Sequence, residues 1–169
     1  MHWQSKDLSE RKLNKIMKSI IILHSYHHYN TRKVAEEFST VLDAPIEQAI
    51  TMNEQEIPNY DLVGFGAGID SGKHYKELLD FVDKLPSVTN KKCFIFSTSA
   101  VQGERKVFKD HKRVRDTLKA KGYIIIGEFS CKGFNTNVFL KYIGGMNKTR
   151  PNAEDLEHAK EFALGIIDL

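Results

Sequence analysis

Three polar segments of this 169-residue chain carry groups that could hold a flat, charged ligand. The first is Ser25-Tyr26-His27-His28-Tyr29-Asn30-Thr31, at the start of a helical pattern. A helix N-terminus carries unpaired N–H donors and partial positive charge, which suits a phosphate dianion. The segment holds no Lys or Arg, so binding would rest on neutral donors and the helix dipole. The alternative is an ordinary helix cap with exposed histidines. The second segment, residues 64–74, approaches two phosphate-binding motifs and completes neither. A Walker A loop needs Gly at Ala67 and Ser or Thr at His74, and a dinucleotide fingerprint starting at Gly66 needs Gly at Ser71. What remains is a glycine-rich loop whose backbone can approach a planar ligand closely. The third, Ser97-Thr98-Ser99-Ala100-Val101-Gln102-Gly103, is small and polar.

Other reactive side chains point to no chemistry of their own. His24, His27 and His28 have no nearby Cys or acidic partner in sequence, so no metal site is expected. Cys131, in Glu128-Phe129-Ser130-Cys131-Lys132-Gly133-Phe134, has no base beside it. A nucleophilic thiol needs one, so Cys131 is read as a structural or site-adjacent thiol. No catalytic residue is assigned.

The elements that must position these segments alternate between strand and helix. Ser19–His24 is a continuous apolar run, as expected of a strand buried on both faces. Residues 31–42 place Val34, Ala35, Phe38, Val41 and Leu42 on one helical face. Residues 44–50 form a weak strand and residues 51–59 a loop. Residues 61–66 form the next buried strand, followed by a loop over 67–73 and a helix over 74–85 that Pro86 stops. A strand over 92–97 precedes the third polar segment, residues 98–103. A charged helix over 108–121 leads to a fifth strand over 123–129. Residues 130–150 form a long connection with a helical turn over 138–143. Ala153–Ile167 closes the domain as a helix capped by Asn152. Alternation of this kind predicts an α/β three-layer sandwich. Its five-stranded parallel sheet would run in the order 2-1-3-4-5, with helices on both faces. In such a sheet a ligand sits beyond the carboxyl ends of the strands, where all three polar segments lie.

Composition bounds the reading further. At 41% hydrophobic and 28% charged, the chain is of the globular class, with one domain over residues 17–169. Residues 1–16 are read as a polar extension without the apolar core of a secretory signal. No apolar run approaches a bilayer span, so no membrane association is expected. The first 18 residues hold five cations against two carboxylates, which accounts for the whole net charge of +3. The remainder is neutral and shows no basic stripe for nucleic acid. Two distant cysteines fit a reducing, cytoplasmic setting.

Taken together, these stretches resemble the flavodoxin family, particularly its short bacterial and archaeal members. The first segment, residues 60–74, Phe96-Ser97-Thr98-Ser99, residues 127–134 and the tail over 144–152 carry the resemblance, which covers roughly residue 17 to the C-terminus. It implies non-covalent FMN. Ser25, His27, His28, Asn30 and Thr31 would hold the phosphate. Ala67, Gly68, Ile69, Asp70 and Gly72 would lie along one side of the ring, and Thr98, Ser99 and Ala100 along the other, with Cys131 nearby. The family often has glycine where Tyr29 stands, an aromatic where Asp70 stands, and glycine where Ala100 stands. Loss of a stacking aromatic implies weaker FMN affinity unless Tyr26, Tyr75 or Phe134 substitutes for it. A carboxylate at Asp70 near the ring would disfavour the anionic reduced flavin and lower its potential. The resemblance implies an electron carrier that meets redox partner proteins transiently. Alternatives are a small FMN-dependent, quinone-type reductase and a module that keeps the fold without FMN.

Overall fold

The computed structural model describes residues 17–26, 28–135 and 144–169. In chain order the strands are β1 Ser19–His24, β2 Ile46–Gln48, β3 Leu62–Asp70, β4 Lys73–His74, β5 Lys91–Ser99 and β6 Tyr123–Lys132. Five of them pair in parallel in the order β2-β1-β3-β5-β6. The two-residue β4 adds only an antiparallel ribbon on the end of β3. Without it the order is the expected 2-1-3-4-5. The helices are α1 Asn30–Leu42, α2 Lys76–Lys84, α3 Glu104–Asp110, α4 Lys112–Ala120 and α5 Ala153–Ile167. Helices α1 and α5 cover one face of the sheet, and α2 and α4 the other. Among the described residues no helix is long and apolar enough to cross a membrane.

Strand β1 shows why the sheet is buried on both sides. Successive side chains of a strand point to opposite faces. Ile20 and Ile22 join the core under α2 and α4, while Ile21 and Leu23 join the core under α1 and α5. No position is left to face water, so the run is uniformly apolar. On the far side of the sheet, Asn152 accepts the Asp155 N–H, and Asp155 accepts the Asn152 N–H in return. This capping box starts α5 where the sequence places it.

The second polar segment differs from expectation. Residues 67–70 are not a loop but the end of β3, and the turn is confined to Ser71 and Gly72. Both have positive φ, 51° and 79°, as a two-residue hairpin of type I′ requires. The glycines serve another purpose. Gly64, Gly66 and Gly68 share one face of β3, and a Cβ on them would lie 2.4, 2.2 and 2.5 Å from the rings of Phe94, Phe96 and Tyr75. They make room for rings rather than for motion. Strands β5 and β6 likewise run on through Thr98–Ser99 and through Cys131.

Two histidines expected on helices are instead core residues. His74 sits on β4 with its Nε2 3.0 Å from the Phe96 carbonyl, and His111 joins α3 to α4 with its Nε2 2.7 Å from Ser97 Oγ. His111 thereby divides the single helix expected over 108–121. The two rings lie 4.8 Å apart. Burial lowers the pKa of each to about 3, with further lowering of His74 by His111 and of His111 by Arg115 and Lys106. Below pH 6.5 the unfolded chain therefore takes up protons that the fold refuses, so stability falls as the pH drops toward about 3. A 3-10 helix, Glu54–Asn59, replaces part of the expected loop over 51–59. The extension over 1–16 and the helical turn over 138–143 lie outside the described residues.

Substituting Gly66→Ala would force the Phe96 ring off the sheet. It should destabilise the protein by about 2–3 kcal/mol in urea unfolding, and an unchanged midpoint would contradict the packing described.

Candidate functional site

Because five strands of the sheet are parallel, their carboxyl ends share one edge, and a cleft opens there. Ser25, Asn30 and Thr31 line it from the first segment, Gly68 and Ile69 from β3, and Thr98, Ser99 and Ala100 from β5 and its loop. Tyr26, Tyr75 and Phe134 add three aromatic rings to its walls.

Hydrogen bonds tie these walls together. Thr98 follows Phe94 and Phe96 on the same face of β5, so its side chain points toward α1. Its Oγ1 lies 2.8 Å from Thr31 Oγ1, and both residues are buried. Asn30 Nδ2 donates to the Phe134 carbonyl at 2.8 Å, and the Gly133 N–H donates to the Ser99 carbonyl at 3.0 Å. Asn147 Nδ2 donates to the Ala100 carbonyl at 2.7 Å. The Arg32 N–H donates to Ser25 Oγ at 3.3 Å, folding the first segment over the start of α1. Opposite, the Tyr75 N–H donates to the Gly68 carbonyl at 3.0 Å, so the ring that covers Gly68 is also tied to it. Burial, with Asp70, Glu77 and Tyr26 adding to it, pushes the Tyr75 phenol pKa up.

The first segment is strained. His28 and Tyr29 both adopt left-handed backbone, with φ of 52° and 53°. A side chain there costs roughly 1–2 kcal/mol per residue. Glycine, which the resemblance implies at the Tyr29 position, would adopt this backbone without that cost.

Eight of the residues expected at the site line the cleft: Ser25, Asn30, Thr31, Gly68, Ile69, Thr98, Ser99 and Ala100. His28 stands beside it, its ring 4.1 Å from that of Phe134. His27 lies outside the described residues. The others sit off the cleft walls because their strands run further than expected. Ala67 is a core residue of β3, paired between His24 and Ser97. Asp70 and Gly72 are exposed on the hairpin and are not part of the cleft lining, although Asp70 directly follows the lining residue Ile69. Cys131 packs in the core under α1 and α5, and burial pushes its thiol up to about 12. Gly133, Asn135 and Asn147 were not expected. Gly133 and Asn135 line the cleft, and Asn147 braces it. The only sequence signal for them was the resemblance of the stretches that flank residues 136–143. Among the described residues no group of three or more His, Cys, Asp or Glu is arranged to hold a metal.

Removing one hydroxyl of the threonine pair leaves the other buried and unsatisfied. Thr31→Val or Thr98→Val should each cost about 1–3 kcal/mol in denaturant unfolding, and the double variant less than their sum. Strict additivity would show that the two hydroxyls do not interact.

Comparison with known proteins agrees with this fold. The chain matches the model of the Flavodoxin domain family over residues 21–163. An uncharacterized protein of Methanocaldococcus jannaschii is 47% identical over 151 residues, which are 89% of this chain and 99% of that one. Oxidised flavodoxin 2 from Bacillus cereus superposes with a TM-score of 0.70 at 18% identity, covering 89% of this chain and 98% of that one. A short-chain flavodoxin associated with a non-canonical PDU bacterial microcompartment gives 0.67 at 17% identity, covering 90% and 98%. The two structural likenesses speak to fold alone, but the family match spans most of the sequence. The chain belongs to the flavodoxin family.

Proposed function

We propose that the protein binds FMN in this cleft and carries electrons between larger redox proteins. One observation supports the reading above others. A single cleft has the N-terminus of α1 and the hydroxyls of Ser25 and Thr31 among its walls, together with the rings of Tyr26, Tyr75 and Phe134. That combination suits a ligand that is a phosphate at one end and a flat heterocycle at the other.

The residues present fit such a group. Asn30 Oδ1 is buried with no hydrogen-bond partner among the described residues, although its amide nitrogen is engaged. A ligand bearing hydroxyls on a short chain, as FMN does, could donate to it. Ser25, Asn30, Thr31 and the first turn of α1 would hold the phosphate with neutral donors. Gly68 and Ile69 would present backbone to one edge of the ring, and Thr98, Ser99 and Ala100 to the other. Bound FMN supplies the redox chemistry, and the protein binds and orients it and screens it from water. Tyr26, at 69% exposed, and the partly buried Tyr75 would supply the flat contact that Asp70 cannot.

Titration of the FMN-free protein with FMN, followed by absorbance and fluorescence, tests the reading. Saturable one-to-one binding is expected, with FMN lost on extensive dialysis because an aromatic is missing at Asp70. Absence of saturable binding would overturn the reading, and retention of stoichiometric FMN through dialysis would overturn the weakened affinity. Steady turnover of a quinone with a nicotinamide donor would assign the protein to the reductases instead.

A further inference from the structure

Helix α5 has an outer flank that no described residue covers. Glu157, Lys160, Glu161, Leu164, Ile167 and the cap residue Asp168 follow the three- and four-residue spacing of one helical face, and all are exposed. Leu164 and Ile167 stand 48% exposed each, an apolar centre among charges. The opposite flank is engaged, with Phe162 packed against Gly127 and Phe129 of β6. Among the described residues none of the four charged members of the outer flank forms an ion pair.

Charge divides across the sheet. With their cap residues Asp43 and Asp168, α1 and α5 carry eight carboxylates against three cations. Two cations reach α5 from outside, Lys92 on the Leu169 carbonyl and Arg150 on Asp155, and three carboxylates are still left over. The other face is the reverse, since α2, α3 and α4 carry nine cations against six carboxylates. Residues 1–16 hold Lys6, Arg11, Lys12 and Lys15 against Asp7 and Glu10, with Trp3, Leu8, Leu13 and Ile16 among them. A basic segment of this kind is attracted to the face of α1 and α5 and repelled from the other.

The chain also joins the domain on that face. Met17 packs against the core under α1 and α5. Ser19 pairs with Leu62 and Leu62 with Lys92, so β1 begins roughly 10 Å, two strand spacings, from the residue that holds Leu169. Even at the helical rise, the 16 residues before Met17 span about 24 Å, which matches the length of α5. We infer that residues 1–16 lie along the outer flank of α5, with cations on Glu157, Glu161 and Asp168 and apolar side chains over Leu164 and Ile167. A tethered segment meets its surface at millimolar effective concentration, so individually weak contacts hold it. The inference is independent of the FMN reading. The same segment of a second copy is the competing occupant.

A nitroxide on the full-length chain tests the proposal through paramagnetic broadening of backbone amides. The label goes on Ser9→Cys, since Cys93 and Cys131 are both buried. Broadening is expected to concentrate on residues 157–168, with α2, α3 and α4 untouched. The double reversal Glu157→Lys with Glu161→Lys should lower the docked population about tenfold, as should Lys12→Glu with Lys15→Glu. Combining the two pairs should restore docking, whereas Lys109→Glu on the opposite face should change nothing. Four results would each overturn the proposal. They are broadening spread evenly or centred on α2–α4, broadening indifferent to the reversals, no rescue in the combined variant, and equal broadening when the nitroxide sits only on a second, isotopically silent copy.

Discussion

Strand β3 lies at the centre of the sheet and gives up its side chains on one face. Gly64, Gly66 and Gly68 leave a bare track along which the rings of Phe94, Phe96 and Tyr75 lie against backbone. The constraint is steric and admits little compromise, since protein cores are packed near crystal density. It has consequences at both ends of the strand. Deep in the sheet it lets Phe94 and Phe96 gather with Phe38 and Phe162 into one aromatic core, with ring separations of 5.0–5.9 Å. At the carboxyl end the same track reaches the cleft, where Gly68 is covered by Tyr75 and lines the wall. The core and the cleft are thus continuous, and the backbone that lines the cleft is held by the packing beneath it.

The rest of the cleft depends on polar contacts made in low dielectric. The threonine pair joins α1 to β5, Asn30 ties the first segment to Phe134 beyond β6, and Asn147 ties residues 144–152 to the third segment. Buried polar groups that are fully paired rigidify a structure, and a group left open marks a position where a ligand can complete the pairing. Asn30 Oδ1 is buried and has no hydrogen-bond partner among the described residues. Left-handed backbone occurs at His28 and Tyr29, at the turn that delivers the helix N-terminus to the site, and again at Asn147, which braces the cleft.

Much of this arrangement could be read from the residues. Apolar runs such as residues 20–23 announce doubly buried strands because no alternation is possible there, and Asn152 announces α5 through its capping chemistry. The convergence of three segments followed from strand order alone. The second segment was misread because glycine signals flexibility in a sequence, while here it records where neighbouring rings must fit. That record lies in Phe94, Phe96 and Tyr75, far away along the chain. His74 and His111 were misplaced for a similar reason. A histidine looks like a surface residue until burial keeps its ring neutral and β5 supplies a partner for its Nε2, a carbonyl for His74 and a serine hydroxyl for His111. The extra length of β3 and β6 then moved Ala67 and Cys131 from expected loops into the core.

The account's central claim is that one cleft, gathered from separated stretches of chain, receives a phosphorylated flat ligand. Amide NMR of the uniformly labelled protein during FMN addition tests it most directly. The account predicts saturable shifts concentrated at Thr31, Gly68, Ile69, Thr98, Ser99 and Gly133, with α4 and the start of β5 undisturbed. Shifts spread without pattern over the surface, or no shifts at any FMN concentration, would contradict it.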